Sequence, residues 1–330
     1  MTTPMPNFQI AKPRDIAAAI AARQAYFGSA FLAGGTDLLV NLRHGLGQPT
    51  WLIDLSDIAE LDGIEVAEAG VRIGAGVTIA ALARAPVLAE RYRALTEAAE
   101  AIAAPGHRVM GTIGGNLCLG TRCIYYNQSE WWRHANGFCL KHGGEVCHVA
   151  PQGQRCHAAY TGDLAPALLV LGAELEIAGP NARRRRIPLG ELYVEDGRAH
   201  LKLAAEEIVV AVHLPLDAPP SAYAKVRWRN AIDYPLAGVA AALAVADGVV
   251  SVLRIGITGT NSRPFLLAGT DAFIGQPVDE TMLRQIDRLV QKQVQPMRTT
   301  VASAHYRRLA AAALACRLAA TLNSERSNRP

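Results

Sequence analysis

Phe31-Leu32-Ala33-Gly34-Gly35-Thr36-Asp37-Leu38 reads as a short apolar strand running into two consecutive glycines. Consecutive glycines let the backbone take positive φ and turn successive N–H groups toward an anion, and Thr adds a side-chain donor. A second segment of the same kind, Gly111-Thr112-Ile113-Gly114-Gly115-Asn116, follows about 75 residues later. Singly, each reads as a structural turn; paired in an α/β pattern, they admit a split dinucleotide site. Gly74-Ala75-Gly76 begins like a nucleotide fingerprint, but Ile79 stands where the third glycine belongs. The Rossmann reading therefore fails, and no Walker lysine follows any glycine run.

Outward from these segments, hydrophobic periodicity predicts alternating units. A helix is expected over 15–24, with strands at 51–55 and 71–74. Thr78 reads as the N-cap of a helix that Pro86 stops, and a further helix runs over 92–103 to Pro105-Gly106. A helix at 164–171 and a strand at 173–178 follow. The run Arg183-Arg184-Arg185-Arg186 after the turn Pro180-Asn181 reads as a solvated hairpin edge rather than a phosphate patch. Strands at 207–214, 222–229, 240–246 and 250–258 precede helices at 279–294 and 301–322. Pro219-Pro220 marks a domain boundary, beyond which the pattern is α+β.

The whole chain has 330 residues, half of them apolar, enough for about two domains. Its net charge of +4 is too small for a nucleic-acid footprint. The longest apolar stretch, 235–246, is shorter than the roughly 20 residues a spanning helix needs. The opening residues have neither a basic nor an apolar leader region, so a cytoplasmic protein without a membrane anchor is expected.

Between residues 118 and 161 the hydrophobic period disappears. A loop of that length inside a domain usually signals function or disorder, and its aromatics and cysteines argue against disorder. Five of the six cysteines lie here: Cys118, Cys123, Cys139, Cys147 and Cys156. The sixth, Cys316, sits in an alanine-rich helical pattern and reads as a small buried hydrophobe. The last four of the five are spaced C-x15-C-x7-C-x8-C. Four thiolates suit a tetrahedral zinc or a [4Fe–4S] cluster, yet this spacing matches neither zinc ribbons nor ferredoxins. His134, His142, His148 and His157 keep a mixed Cys/His zinc site open, and unrelated thiols are the remaining reading. Tyr125, Tyr126, Trp131 and Trp132 would shield a metal centre or belong to ordinary core.

Residues 33–38, residues 111–116 and Gly162-Asp163-Leu164-Ala165-Pro166-Ala167 resemble the flavin subunits of the xanthine oxidase family of molybdenum enzymes, and the likeness covers essentially the whole chain. Within the insertion, Thr121-Arg122-Cys123, Tyr126-Asn127-Gln128-Ser129-Glu130-Trp131-Trp132-Arg133 and the later cysteines resemble the β subunits of 4-hydroxybenzoyl-CoA reductases. The resemblance implies a mixed α+β and α/β fold. A two-lobed FAD-binding domain of the molybdenum hydroxylase flavin-subunit type would span 1–220, with the cysteine-rich insertion at 118–161. A C-terminal α+β domain would span 221–330.

The resemblance also implies roles for particular residues. Cys123, Cys139, Cys147 and Cys156 would ligate a [4Fe–4S] cluster, leaving Cys118 on the flavin side. Leu32, Ala33, Gly34, Gly35, Thr36, Asp37 and Leu38 would hold FAD together with Gly111, Thr112, Ile113, Gly114, Gly115 and Asn116. Asp163 and Lys225 would make polar contacts to the flavin, and Ile102 and Ile124 would be its apolar neighbours. No catalytic residue is expected on this chain. It would pass electrons from reduced ferredoxin through the cluster and FAD to a partner [2Fe–2S] subunit. A molybdenum-cofactor subunit, in a dimer of heterotrimers, would then dehydroxylate 4-hydroxybenzoyl-CoA to benzoyl-CoA. The competing readings are the FAD subunit of another molybdenum hydroxylase acting on an aldehyde, purine or aromatic compound, an autonomous flavin oxidase, and a zinc-stapled nucleotide-binding module.

Overall fold

The computed structural model describes residues 5–327, so residues 1–4 of the opening segment lie outside it. Twelve strands form three sheets among the described residues. The first holds β1 (Gln9–Ala11), β2 (Ala30–Leu32) and β3 (Trp51–Asp54), all parallel, in the order β1-β3-β2. Parallel strands need crossovers: the helix Ile16–Ala25 joins β1 to β2, and the helix Leu38–Arg43 joins β2 to its neighbour β3. Asp15 starts the first of these helices by accepting the Ala18 N–H at 2.7 Å.

The second sheet comprises β4 (Ile64–Ala67), β5 (Gly70–Gly74), β6 (Glu174–Ala178), β7 (Arg184–Pro188) and β8 (Ile208–Leu214), antiparallel in the order β4-β5-β8-β6-β7. The arginine run forms edge strand β7. Arg184 pairs with Glu60 and Glu176, Arg185 with Glu207 at 2.9 Å and Arg186 with Glu174 at 3.9 Å, so these three charges guard an edge and are already partnered.

The third sheet comprises β9 (Ser221–Val226), β10 (Ala237–Ala246), β11 (Val249–Thr258) and β12 (Phe265–Leu266). Successive side chains of a strand point to opposite faces, and β10 is buried on both. Ala240 and Ala242 join the core of the first two sheets, whereas Val239, Ala241 and Leu243 join a second core. Helices Glu280–Gln293 and Ala304–Ser327 pack over that second core. Double-sided burial over 237–243 explains the apolar stretch at 235–246, broken only by Gly238. No helix among the described residues is long and apolar enough to cross a membrane.

Local differences from the sequence reading have local causes. Pro86 ends one helix (Ile79–Arg84) and opens another (Pro86–Arg91) from its first position, where a missing N–H costs nothing. The helix expected over 92–103 follows as Arg93–Ala101. Ser129 caps a short helix, Glu130–Ala135, in the otherwise irregular insertion by accepting the Trp132 N–H at 3.3 Å.

Candidate functional site: a glycine-walled cleft beside a cysteine cage

Two glycine segments far apart in sequence are pressed together. A Cβ on Gly34 would lie 1.8 Å from the Met110 carbonyl oxygen, so only glycine permits this approach. A Cβ on Gly114 would meet the Ala75 carbonyl oxygen at 2.9 Å, which brings the Gly74-Ala75-Gly76 turn to the same place. Together they wall a cleft of about 850 Å³. Ala33, Gly34, Gly35, Thr36, Asp37 and Leu38 line it, as do Ile102, Gly111, Thr112, Gly114, Gly115, Asn116, Cys118 and Asp163.

The two segments do different work. In the second, Gly111, Ile113 and Gly114 donate their N–H groups to the carbonyls of His107, Val77 and Ala75 at 2.7, 3.0 and 2.9 Å. Gly115 donates to Thr112 Oγ1 at 3.1 Å. That segment is therefore a packed floor. In the first, the N–H groups of Gly34, Gly35 and Thr36 have no hydrogen-bond partner among the described residues, and Gly35 has φ of +70°. Unspent donors at a strand end are what a diphosphate requires.

Four expected contacts do not line the cleft: Leu32, Ile113, Ile124 and Lys225. Ile113 is fully buried in the core beneath it. Ile124 lies in the insertion, its N–H donating to Thr299 O at 3.0 Å. Lys225 sits one layer behind, with Nζ 2.8 Å from Asp163 Oδ1 and 3.1 Å from Asp233 O. Tyr223 donates its hydroxyl to the same Asp163 oxygen at 2.7 Å. Burial pushes the Asp163 carboxyl up, against the pull of Lys225 and Tyr223. Lys225 thus acts on the cleft through Asp163.

Thr161 was not singled out by the sequence. Its Oγ1 is buried without a partner, and the residue lines the cleft beside Asp163. An orphaned hydroxyl there suits a polar group on a bound ligand. The opposite wall, from Leu55, Ser56, Leu61 and Asp62 to Leu201, Leu203, Glu207 and Ile208, also escaped sequence reading.

The second site lies in the insertion. Cys123, Cys139, Cys147 and Cys156 are all buried, at 4–8% exposure, and line one water-sized cavity of about 10 Å³. All four are free thiols. Tyr125, Tyr126, Lys141 and His148 line it as well, with Leu140, Val149 and Ala158 as apolar wall. His134, His142 and His157 stand outside it. Trp131 is 77% exposed and is neither shield nor core.

The cage has a definite electrostatic character. Burial pushes the Cys123 thiol up to about 11, the Tyr125 and Tyr126 N–H groups pull it down, and Cys156 and Cys139 push it up again. Burial likewise raises Cys156, opposed by the Ala158 N–H, 3.4 Å from its Sγ, and by Lys141. Lys141 donates to Thr121 O at 2.9 Å and lies 4.4 Å from the Tyr126 ring centre. Burial lowers this ammonium to about 8. No three His, Cys, Asp or Glu side chains among the described residues form a group that could hold a single metal ion. Cys118, by contrast, faces the cleft, and burial pushes it up to about 12.

The insertion is anchored on every side. Buried Arg133 donates to the carbonyls of Gln128, His44 and Gly45, the last two at 3.1 and 3.0 Å. Thr121 Oγ1 donates to Gly197 O at 2.5 Å, and the Cys156 N–H donates to Asp196 Oδ1 at 3.2 Å.

Comparison with known proteins places both halves of the chain. The family described as FAD binding domain in molybdopterin dehydrogenase matches residues 6–217, and the CO dehydrogenase flavoprotein C-terminal domain matches residues 221–322. The aldehyde oxidoreductase FAD-binding subunit PaoB of Escherichia coli is 34% identical over 262 residues, covering 76% of this chain and 80% of that protein. The carbon monoxide dehydrogenase medium chain of Hydrogenophaga pseudoflava is 29% identical over 257 residues, covering 77% and 75%. A solved structure of the Cu,Mo-CO dehydrogenase superposes with a TM-score of 0.79 at 25% identity, covering 98% of this chain and 99% of that one.

Proposed function

The chain belongs to the FAD-binding subunits of the xanthine oxidase family of molybdenum enzymes, and from that premise we propose that it carries two redox groups and moves electrons without touching substrate. The observation that carries the two-group reading is the convergence of four buried thiols on one cavity. In this reading the FAD-binding domain spans 1–220 and the C-terminal domain 221–330.

Both sites fit their groups by the chemistry of their donors. The unspent N–H groups of Gly34, Gly35 and Thr36 would hold the FAD diphosphate, and the orphaned Thr161 hydroxyl and Asp163 would meet the flavin end. The floor residues 111–116 would give the close approach, with Leu38 and Ile102 as apolar neighbours. Lys225 would hold Asp163 in place. Cys123, Cys139, Cys147 and Cys156 would ligate a [4Fe–4S] cluster, with the Tyr125, Tyr126 and Ala158 N–H groups and Lys141 offsetting its thiolate charge. When bound, such a cluster supplies one-electron exchange, and FAD supplies conversion between one- and two-electron transfer. Burial of the thiols would keep water away from a bound cluster, and the N–H groups at the sulfurs would tune its potential.

The subunit would work beside a molybdenum-cofactor subunit and a [2Fe–2S] subunit in a molybdenum hydroxylase. Similarity to an aldehyde oxidoreductase subunit favours an aldehyde, purine or aromatic substrate bound on a partner. The second reading is reductive dehydroxylation of 4-hydroxybenzoyl-CoA with ferredoxin as donor, favoured by the cysteine cage, which gives a one-electron donor its own point of access. Assay of the purified complex separates them. Aldehyde or purine oxidation with an artificial acceptor supports the first. Benzoyl-CoA formation from reduced ferredoxin, without such oxidation, supports the second.

A further inference from the structure

Arg122 stands where the insertion meets the cleft. It directly precedes Cys123, and a two-way backbone pairing with Ala159 fixes it, at 2.7 Å from Arg122 N to Ala159 O and 2.8 Å in return. Its side chain leaves the cage and turns toward the cleft. There the guanidinium forms an ion pair with Asp37 and donates to Asn41 Oδ1 at 3.0 Å. It also donates to the Tyr234 hydroxyl at 2.8 Å and lies 4.8 Å from that ring's centre. Asn41 in turn donates to Asp37 Oδ2 at 3.1 Å. Asp37, Asn41 and Tyr234 all line the cleft.

This arrangement answers an electrostatic problem. Asp37 belongs to the segment whose free N–H groups face the cleft, so its carboxylate opposes any diphosphate held there. Like charges brought close in a partly buried site disfavour each other unless a countercharge is fixed beside them. Among the described residues, the only cation paired with Asp37 is Arg122, which comes from the insertion. We propose that Arg122 is a positioning residue that neutralises Asp37 and holds Asn41 and Tyr234 in the cleft wall, so that the cysteine-bearing insertion sets the affinity of the flavin site. The proposal rests on the cleft holding FAD; it does not depend on what the cage holds.

The test is FAD titration of the deflavinated complex, followed by quenching of flavin fluorescence. Arg122→Met should raise the FAD dissociation constant about tenfold, and Arg122→Lys should recover part of that loss. In an Asp37→Asn background the same Arg122→Met change should cost less than threefold, because the charge to be neutralised is gone. Equal losses in both backgrounds, or no loss, overturn the proposal. Asp37→Asn alone should bind FAD more tightly than the wild type, which keeps the test decisive if Arg122→Met fails to assemble; weaker binding contradicts it. A wild-type complex that takes up no FAD overturns the flavin reading itself.

Discussion

The cleft and the cage are built from opposite materials. The cleft is backbone: glycines at a strand end and a short helix start, pressed so close that side chains are excluded, with the unspent N–H groups of Gly34, Gly35 and Thr36 among its donors. The cage is side chain: four thiols drawn from 34 residues (123–156) in which only the helix Glu130–Ala135 and one 3-10 turn are regular. A backbone site is fixed by the fold around it, and it fails when a Cβ intrudes. A side-chain site is fixed by hydrogen bonds that staple its loop, and it fails when a single ligand is lost.

Breaking the comparison from the cage side should give the largest effect. Cys139→Ser removes one of four ligands, and the cluster is expected to be lost, with most of the iron, while FAD content stays near the wild-type level. Iron analysis beside flavin absorbance checks this. Iron retained in full would reassign the ligands.

From the cleft side, Lys225→Met leaves Asp163 buried beside Tyr223 without its cation. Breaking a buried ion pair in this way costs about 3–5 kcal/mol. Thermal unfolding should register that loss, and FAD should dissociate more readily. Unchanged stability would mean that burial already keeps Asp163 neutral, so that removing Lys225 leaves no uncompensated charge.

A third change tests the backbone claim itself. A Cβ at Gly115 meets only Thr112 Oγ1, at 3.1 Å, whereas one at Gly114 runs into the Ala75 backbone. Gly115→Val should therefore weaken FAD binding at least tenfold with a modest change in unfolding temperature. Gly114→Val should destabilise the whole domain. Equal thermal losses for the two would remove the distinction between a ligand-facing and a packing glycine.

The last effect appears only as pH is lowered. His200 is 8% exposed, and its ring Nε2 lies 2.9 Å from Leu119 O on the cleft's rim. Burial lowers it to about 4, with Lys141 lowering it further and the Leu119 contact opposing. The unfolded chain takes up a proton near its ordinary value of 6.5, and the folded one does not until about 4. Stability is therefore full above 6.5 and falls as pH drops toward 4, by up to about 3 kcal/mol. His200→Phe should flatten the stability profile across that window; an unchanged slope would place the proton elsewhere.

What was legible in the sequence follows the same division. Gly34-Gly35 and Gly114-Gly115 announce the cleft because backbone demands concentrate in consecutive residues. Cys123 to Cys156 announce the cage by residue type alone. The far wall of the cleft is not legible, since residues 55–62 and 201–209 are unremarkable in sequence and are brought together only by the pairing of β5 with β8 and the loops beyond β3. Lys225 carries a correct type at a misleading place, because β9 puts it behind Asp163 rather than in the cleft. Arg122 was quoted in a motif for its neighbour Cys123, and nothing in one dimension indicates that its side chain serves the other site. Ile124 illustrates the converse, an apolar residue close in sequence to the cage that the fold turns toward Thr299.

The central claim is that one chain holds two redox groups at adjoining sites. Iron, acid-labile sulfide, zinc and FAD per chain, measured on the complex purified without oxygen, test it most directly. The account predicts about four iron and four sulfide beside one FAD, in addition to the iron of a [2Fe–2S] partner counted separately after subunit resolution. Zinc without sulfide on this chain, with FAD still present, would contradict it and leave the cage as a structural staple.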